Sequence, residues 1–251
     1  MYNPFSLAGK TILVTGASSG IGRAIAIECS KMDARVIITG RNEERLHKVY
    51  TELNGTENQY ITADLTNNGE VAALVDSIPI IHGVVHSAGI LISLPFQFCK
   101  SDKVKNVIDT NLMAPIELIY RILKNKKNEK KGCSIVFISS LGGVIVSAPG
   151  LSIYGASKAG LVGLAKGMAL DLAPKKIRVN SVLPGMIESP MIDGFSDVVT
   201  PEAIELDKKR YPLGRYGKPE EVAHAVIYLL SDASGWMTGS NIIIDGGVSL
   251  A

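Results

Sequence analysis

The amino-acid sequence predicts an α/β fold in which a doubly wound parallel sheet of seven strands carries helices on both faces. The chain has 251 residues, of which 46% are hydrophobic and 20% charged, so it can bury a large core. Apolar runs rich in β-branched residues alternate with segments of helical period, as in repeated βαβ units. The apolar runs lack polar alternation, which is typical of strands covered on both faces. No linker or internal repeat divides the sequence, so we expect a single domain over residues 1–251.

Each predicted strand is a short apolar run, and a helical segment follows most of them. The strands are predicted at Thr11–Thr15, Arg35–Thr39, Gln59–Ala63, Gly83–His86, Ser134–Ile138, Arg178–Leu183 and Ile242–Asp245. The helices are predicted at about Ile21–Lys31, over the stripe of Leu46, Val49, Tyr50 and Leu53, and at Val71–Ile78, Lys103–Leu123, Ile153–Leu172 and Glu220–Leu230. The basic run Lys124–Lys131 has no interleaved aromatic residues and is expected to be a solvated loop.

Composition and charge exclude several classes of function. The formal net charge is only +2, from 26 basic and 24 acidic side chains, so nucleic acid and anionic membranes are not expected partners. Cysteines and histidines are scattered without metal-ligand spacing, so we predict neither a metal site nor a disulfide framework. The segment Met1–Lys10 lacks the features of a secretory signal, and no apolar run is long enough to span a membrane. We therefore expect a cytoplasmic protein.

A glycine-rich turn follows the first predicted strand, where Gly16–Gly22 reads GASSGIG and leads into a helix. Glycines permit a tight turn and a close approach of the main chain to a pyrophosphate, and the helix N-terminus offers free N–H donors. The spacing is GxxxGxG rather than the GxGxxG of the commoner dinucleotide fingerprint. A purely structural turn is the alternative, but the position after the first strand favours dinucleotide binding.

The end of the second predicted strand indicates which dinucleotide is bound. An NAD site needs a carboxylate there for the ribose 2′-hydroxyl, whereas this chain has Arg41 directly after the strand. The guanidinium fork of Arg41 suits a 2′-phosphate, so we predict NADP(H) in preference to NAD(H). An exposed arginine at a helix start is the alternative, and Ser19, before the middle glycine of the turn, supplies no second basic group.

The candidate acid or base for proton exchange with a carbonyl or alcohol is Tyr154, four residues before Lys158. Residues four apart share a helix face, so we expect the Lys158 ammonium to bring the pKa of the phenol toward neutrality. This spacing is common by chance, and Tyr120 and Lys124 share it. Tyr120 lies beside the basic loop with no polar cluster before it, so we interpret it as an ordinary helix-end residue.

Two serines, Ser139 and Ser140, end the fifth predicted strand and precede a glycine-rich loop. The carboxyl ends of parallel strands are where α/β sheets hold their ligands, and a serine hydroxyl there can donate to a developing oxyanion. Ser140 is favoured by the neighbouring loop and by its distance to Tyr154, with Ser139 as the alternative.

Together these motifs resemble the classical short-chain dehydrogenase/reductase family, which has a Rossmann-like sheet. The resemblance covers essentially the whole chain and rests on TGASSGIG at Thr15–Gly22, Asn111, Ser140, YGASK at Tyr154–Lys158 and NSVLPG at Asn180–Gly185. Within the family, the sequence looks most like 3-oxoacyl-acyl-carrier-protein reductases. Agreement at five ordered sites is more specific than any single motif.

The resemblance implies a role for each catalytic residue. Tyr154 is implied to be the general acid in reduction and the base in oxidation, and Ser140 is implied to polarise the carbonyl. Lys158 is implied to tune Tyr154 and to hold the nicotinamide ribose hydroxyls. Asn111 is implied to hold a water molecule that links Lys158 to solvent, although from the sequence alone it reads as an ordinary polar residue of a helix.

The resemblance also implies a set of cofactor-binding residues, with two departures from the usual family pattern. The set is Gly16, Ser18, Ser19, Gly20, Ile21, Gly22, Arg41, Asp64, Leu65, Ala88, Gly89, Tyr154, Lys158, Pro184, Gly185, Ile187 and Ser189. His86 stands where the family usually has asparagine, which puts the usual hydrogen bonds of the central sheet in doubt, and we interpret it as a buried strand-end residue. Ser189 stands where relatives often have threonine, and either hydroxyl can bond the nicotinamide carboxamide.

The expected substrate is a small-molecule carbonyl compound, and the expected reaction is hydride transfer between NADP(H) and a carbonyl or alcohol. In relatives the segment from Met186 to about Arg210 closes over the substrate, and here it mixes few charges with the apolar residues Met191, Ile192, Phe195, Val198 and Val199, which suits an apolar or acyl chain better than a sugar. Together with the resemblance to 3-oxoacyl-acyl-carrier-protein reductases, this favours a 3-oxoacyl thioester or similar ketone. An acyl carrier protein is a candidate partner. Lys103, Lys105 and Arg121 are the basic side chains considered for its docking near the site. A sugar or polyol dehydrogenase is the alternative, and a catalytically silent nucleotide-binding regulatory protein is the alternative of another class.

A homotetramer is expected from a stripe of small and apolar residues on the helix that contains Tyr154. The stripe consists of Gly160, Gly163 and Gly167 with Leu161, Leu164 and Met168. Small residues let a second helix approach closely. In the family, this helix and the long helix after the fourth strand form one contact between subunits, and the C-terminal strand forms another.

Overall fold

The computed structural model describes residues 2–125, 132–189 and 200–251, and these contain a parallel sheet of seven strands. The strands are β1 Thr11–Thr15, β2 Arg35–Gly40, β3 Gln59–Thr62, β4 Gly83–His86, β5 Ser134–Ile138, β6 Arg178–Pro184 and β7 Asn241–Ile244. Their order in the sheet is β3-β2-β1-β4-β5-β6-β7. The predicted fold class is confirmed, and the strand boundaries differ from the predicted ones by at most one residue.

Helices pack on both faces of the sheet. They are α1 Gly20–Lys31, α2 Glu43–Tyr50, α3 Asn68–Ser77, α4 Ser101–Ile108, α5 Ala114–Lys124, α6 Ser152–Leu172, α7 Pro201–Lys208 and α8 Pro219–Leu230, with short 3₁₀ turns at Phe96–Phe98, Ala173–Lys175, Asp232–Ser234 and Val248–Leu250. Ile12 and Val14 of β1 pack with α1, α2 and α8 on one face, and Leu13 packs with α3 and α5 on the other. This two-sided burial accounts for the lack of polar alternation in the strands.

The long helix predicted at Lys103–Leu123 is interrupted, which corrects that prediction. A π-helical turn at Asp109–Met113 separates α4 from α5. Pro115, which has no N–H to donate to the preceding turn, is the second residue of α5 and closely follows the π-helical turn.

Helix α7 is a second difference from the sequence-based expectation. No helix is predicted from the sequence between Met186 and Arg210. The structure shows a helix that begins with Pro201 and is capped by Thr200, whose hydroxyl oxygen accepts a hydrogen bond from Ala203 N at 3.3 Å. Residues 191–199, which carry the five apolar side chains cited for an acyl substrate, lie outside the described residues, as do residues 126–131 of the basic loop.

The strand order changes direction between β1 and β4, and the loops that follow these strands lie in contact. Gly16 has φ of 66°, and a Cβ atom there would lie 2.6 Å from both the N and the Cα of Ala88. Only glycine allows this approach. The crevice at such a reversal is where doubly wound sheets bind their ligands.

Where His86 replaces the usual asparagine, Thr15 connects β1 with the loop after β4. Thr15 Oγ1 accepts from the backbone N–H groups of Ser87 and Ala88, each at 3.2 Å, which leaves the hydroxyl proton for His86 Nδ1 at 3.1 Å. Burial, with the nearby Lys158 charge, lowers the pKa of His86 to about 3, so the imidazole is neutral. The prediction that His86 is a buried strand-end residue is confirmed, since its side chain is 0% exposed.

No helix among the described residues is both long and apolar enough to cross a bilayer. The same residues contain no group of three or more histidine, cysteine, aspartate or glutamate side chains arranged to hold a metal ion.

Candidate active site

A cleft of about 880 Å³ opens at the carboxyl ends of the strands. It brings together every residue predicted to bind the cofactor, and also Ser140. Asn111 is the one predicted site residue that does not line the cleft. It is completely buried directly behind the wall.

The turn Gly16–Gly22 forms one end of the cleft. A Cβ atom on Gly22 would overlap the Gly16 carbonyl group, so the second half of the turn also requires glycine. Helix α1 begins at Gly20, and Ser19 gives it no side-chain cap. The first amides of the helix therefore keep free N–H donors at the positive end of its dipole, as an anionic pyrophosphate requires.

Two arginines line the cleft beside this turn. Arg41 follows β2 as predicted, and Arg45 stands one turn further on in α2. Both are exposed at the surface of the cleft, and the hydroxyl of Ser18 lies beside Gly40, the residue before Arg41. The sequence analysis missed Arg45, although its spacing of four from Arg41 across a helix start could have identified it.

Asp64 lines the same region, and its carboxylate is held in a fixed orientation. Asp64 Oδ1 accepts hydrogen bonds from Thr66 N at 2.9 Å and Thr66 Oγ1 at 2.7 Å. The backbone hydrogen bond from Thr66 is the main cause that lowers the pKa of this carboxyl, and Arg41 contributes in the same direction. Asp64 is therefore an oriented anion that can accept a hydrogen bond.

Tyr154 and Lys158 lie one turn apart near the start of α6, as the spacing predicts. Lys158 Nζ is 5.8 Å from the centre of the Tyr154 ring and donates to the Ile138 carbonyl at 2.9 Å. Lys124 Nζ lies at the same distance of 5.8 Å from the ring of Tyr120. The two pairs differ in burial, because Lys158 is only 4% exposed whereas Tyr120 is 55% exposed.

Burial determines the pKa of both members of the Tyr154–Lys158 pair. It lowers the pKa of Lys158 to about 8. Burial also raises the pKa of Tyr154, and a hydrogen bond with Ser140 acts in the opposite direction. The prediction that Lys158 brings the phenol pKa toward neutrality is therefore wrong for this structure, because removing the phenolate from water has the larger effect.

The two candidate serines have different surroundings. Ser139 is buried, and its hydroxyl donates to the backbone carbonyl of Lys158 at 2.7 Å. Ser140 Oγ accepts from Gly142 N at 3.0 Å, which leaves its proton free, and the same hydroxyl is in hydrogen-bond contact with Tyr154. This arrangement favours Ser140 as the group that contacts a substrate, and assigns Ser139 to the positioning of α6.

Asn111 lies in the π-helical turn, at the centre of a buried hydrogen-bond network. Its Oδ1 accepts from Ile90 N at 2.8 Å, and its Nδ2 donates to Ile90 O at 2.9 Å and Ser157 Oγ at 3.0 Å. A Cβ atom on Gly89 would lie 3.3 Å from Asn111 Oδ1 and 3.2 Å from Lys158 Nζ. Glycine at position 89 therefore leaves open the space between the amide and the ammonium.

This geometry defines an oxidoreductase site of the dinucleotide-binding class: a phosphate-binding turn, a buried lysine, a tyrosine and a serine in one cleft. A family model described as Enoyl-(Acyl carrier protein) reductase matches residues 16–249. The chain belongs to the short-chain dehydrogenase/reductase family and acts on carbonyl or alcohol groups.

Curated and solved relatives agree with this assignment. The 3-oxoacyl-acyl-carrier-protein reductase FabG of Rickettsia bellii is 39% identical over 243 residues, covering 96% of this chain and 98% of the relative. A polyketide ketoreductase for actinorhodin, solved with NADPH, has a TM-score of 0.89 and 33% identity, with 100% of both chains covered. A proposed gluconate dehydrogenase of Agrobacterium tumefaciens has a TM-score of 0.91 and 29% identity, also with 100% of both chains covered.

Replacing Tyr154 by phenylalanine is expected to lower kcat/KM for carbonyl reduction by about 10²–10⁴-fold, because the variant has no proton to donate. The measurement is the loss of absorbance of the reduced nicotinamide. Tyr120→Phe is the matched control and should retain full activity, since Tyr120 shares the spacing but is exposed. A Tyr154→Phe rate within about tenfold of wild type, equivalent to ~1.4 kcal/mol, would mean that another group is the general acid.

The pH dependence of reduction is expected to follow Lys158. Its ammonium is protonated below its pKa of about 8 and loses its charge as the pH rises through that value. The Tyr154 phenol, whose pKa is raised, stays protonated over the same range. We therefore expect kcat/KM to be level below about pH 8 and to fall above it.

Lys158→Arg provides the control, because a guanidinium stays charged throughout this range. Its absolute rate is expected to be lower, but the fall above pH 8 should be absent. A wild-type profile that stays level to about pH 9.5 would contradict the role of the buried ammonium.

Proposed function

We propose that the protein is an NADPH-dependent reductase of 3-oxoacyl thioesters, with the substrate delivered by an acyl carrier protein. The observation that carries this proposal is the set of apolar side chains that line the same cleft as Tyr154, here called the apolar wall. The described part of that wall contains Leu91, Val146, Met186, Ile204 and Val248. An acyl chain matches this surface better than a densely hydroxylated sugar does. The names of the Rickettsia and actinorhodin relatives support the same class of substrate.

The residues present fit NADP. Gly16 and the free amides of α1 would hold the pyrophosphate, and Arg41 with Arg45 would pair with the 2′-phosphate. Pro184, Gly185, Ile187 and Ser189 line the cleft where the nicotinamide amide would bind. When bound, the reduced nicotinamide supplies the hydride.

The chain's own residues handle the proton and the carbonyl oxygen. Ser140 donates its free proton to that oxygen, and Tyr154 transfers the phenolic proton as negative charge develops there. Lys158 places a positive charge beside the phenol and would hold the ribose hydroxyls. Asn111 would hold the water molecule that returns a proton toward Lys158, through the space left open at Gly89.

A sugar or polyol dehydrogenase is the second candidate, and the structural similarity to a proposed gluconate dehydrogenase favours it. Polar side chains that line the cleft also permit a hydroxylated substrate, among them Ser93, Ser147 and Arg210. The two candidates share Tyr154 and differ in what the rest of the cleft binds.

The basic side chains considered for carrier docking are partly neutralised. Lys105 pairs with Asp109, and Arg121 pairs with Glu117, in each case four residues apart on one helix. Lys105 and Arg121 therefore offer little free charge to an acidic carrier. The carrier remains a proposed partner on the strength of the relatives.

We also propose a homotetramer. Gly163 and Gly167 have no atoms within 4 Å of an added Cβ, so they leave room for a second helix, whereas Gly160 already packs on Leu112 of its own chain. Exposed apolar side chains accompany both predicted contacts, with Leu170 on α6 and Trp236 before β7. A sedimentation mass of one chain, 26.7 kDa, at micromolar concentration would contradict this proposal.

The proposed substrate is tested with one panel: acetoacetyl and longer 3-oxoacyl thioesters, a 2-enoyl thioester, and gluconate with simple polyols. Reduction of the 3-oxoacyl thioesters with NADPH, with higher kcat/KM for longer chains, is expected because each added methylene contacts the apolar wall. Activity confined to sugars or polyols would favour the second candidate. Activity confined to the enoyl thioester, or none with any compound, would overturn the proposed reaction.

The two arginines are tested by cofactor preference. Arg41→Ala and Arg45→Ala should each raise the KM for NADPH by about tenfold, because each removes one charge-assisted pair to the 2′-phosphate, and leave the KM for NADH nearly unchanged. Lys48→Ala, an exposed cation further along α2, is the control. Equal or better kcat/KM with NADH in the wild type would refute the NADPH preference, and an unchanged NADPH KM in Arg45→Ala would remove Arg45 from the site.

A further inference from the structure

Helix α7 borders the substrate end of the cleft although it contributes no buried side chain to the core. Ala203, Ile204 and Asp207 of this helix line the same cleft as Tyr154. Because hydrophobic burial does not hold α7 in place, its position depends more on its polar contacts with the rest of the chain.

The main polar contact joins α7 to Tyr216. The Tyr216 hydroxyl donates to Asp207 Oδ2 at 2.8 Å, and Lys208 Nζ lies 5.7 Å from the centre of the same ring. Tyr216 itself is 5% exposed and packs edge-on against Tyr211, with ring centres 5.5 Å apart. A hydrogen bond to a carboxylate is among the stronger neutral-to-charged contacts.

Tyr216 is fixed to the core independently of α7. The neighbouring Arg215 forms a two-pronged pair with Glu221 of α8, at 2.8 and 2.6 Å. Glu221 also accepts from Lys218 N at 2.7 Å. Residues 215–218, directly before α8, are therefore tied to a helix that packs in the core. They can serve as a fixed point for α7.

The residue after Tyr216 connects the same fixed point to the cofactor side of the cleft. Gly217 N donates to Met186 O at 3.0 Å, and Glu188 N donates to Gly217 O at 2.9 Å. A Cβ atom on Gly217 would lie 2.6 Å from Ile187 Cδ1, so a larger residue here would have to displace that side chain. One dipeptide thus contacts both the loop after β6 and the helix beside the substrate.

We propose that Tyr216 is a positioning residue, whose hydroxyl holds α7 against the substrate end of the cleft through Asp207 and thereby sets the affinity for the carbonyl substrate. The proposal rests on the proposed function of this cleft as a reductase site. It predicts that the hydroxyl affects KM rather than the proton transfer at Tyr154, which is a separate part of the site.

The test compares Tyr216→Phe with wild type in steady-state kinetics and in amide hydrogen exchange of residues 200–210. Tyr216→Phe is expected to raise the KM for the carbonyl substrate by about three- to tenfold, with kcat within about twofold and the NADPH KM unchanged. Exchange of the α7 amides should become faster. Tyr228→Phe, which removes a hydroxyl from a half-buried tyrosine of α8, is the matched control and should change neither quantity.

Asp207 supplies a conservative rescue. Asp207→Asn keeps an oxygen acceptor for the Tyr216 hydroxyl and should stay near wild type, whereas Asp207→Ala should raise the same KM. Combining Tyr216→Phe with Asp207→Ala should add nothing to Asp207→Ala alone, because Asp207→Ala already removes the acceptor of the Tyr216 hydroxyl, together with the ion-pair partner of Arg210.

An unchanged carbonyl KM in Tyr216→Phe overturns the proposal, as does a fall in kcat at constant KM. Failure of the proposed function is distinguished from this result. The KM is measured with whichever carbonyl compound of the panel is reduced, and the exchange measurement needs no substrate. A wild-type protein that does not reduce thioesters therefore refutes the proposed substrate. The contact between Tyr216 and α7 is still tested by amide hydrogen exchange and by whether KM changes without kcat.

Discussion

A buried ammonium group is the constraint that the site depends on. Lys158 is 4% exposed, and burial of its charge is costly unless polar groups surround it. The carbonyl at the end of β5 accepts from it, and Ser139 fixes the backbone of the same lysine. Asn111 and the side-chain-free Gly89 complete its surroundings. Four separate elements, β5, α6, the loop after β4 and the π-helical turn, therefore converge on one positive charge.

Much of the fold and the site could be predicted from the sequence because apolar runs and glycine turns are local signals. The strands, the turn Gly16–Gly22 and the shared helix face of Tyr154 and Lys158 follow from such signals, whereas most other cleft residues were implied by the family resemblance. The π-helical turn could not be predicted, since no local pattern in residues 109–113 signals an additional residue, and the contacts of Asn111 there reach parts of the chain distant in sequence. The sign of the Tyr154 pKa shift depends on burial, which spacing does not report. The single domain, the cytoplasmic location and the tetramer stay predictions.

The departure at His86 shows how the sheet tolerates a change at its centre. At position 86 an imidazole replaces the usual amide. Thr15 still connects β1 with the loop after β4, and its hydroxyl is hydrogen-bonded to the ring nitrogen Nδ1 of His86. Burial keeps the ring neutral, so the substitution adds no charge beside Lys158. This position requires a side chain that can accept a hydrogen bond from the Thr15 hydroxyl, and histidine and asparagine both supply an acceptor.

The π-helical turn makes the length of its segment as important as its composition. A π turn holds one more residue than the α-helical turn that would replace it, so deleting any residue between 109 and 113 would restore a regular helix. Helices α4 and α5 would keep their register, because the wider turn absorbs the additional residue. The residues of the turn itself would shift, and Asn111 would lose the position from which its amide bonds Ile90 and Ser157. Natural variation in this segment is therefore expected to consist of substitutions and to lack single-residue insertions and deletions.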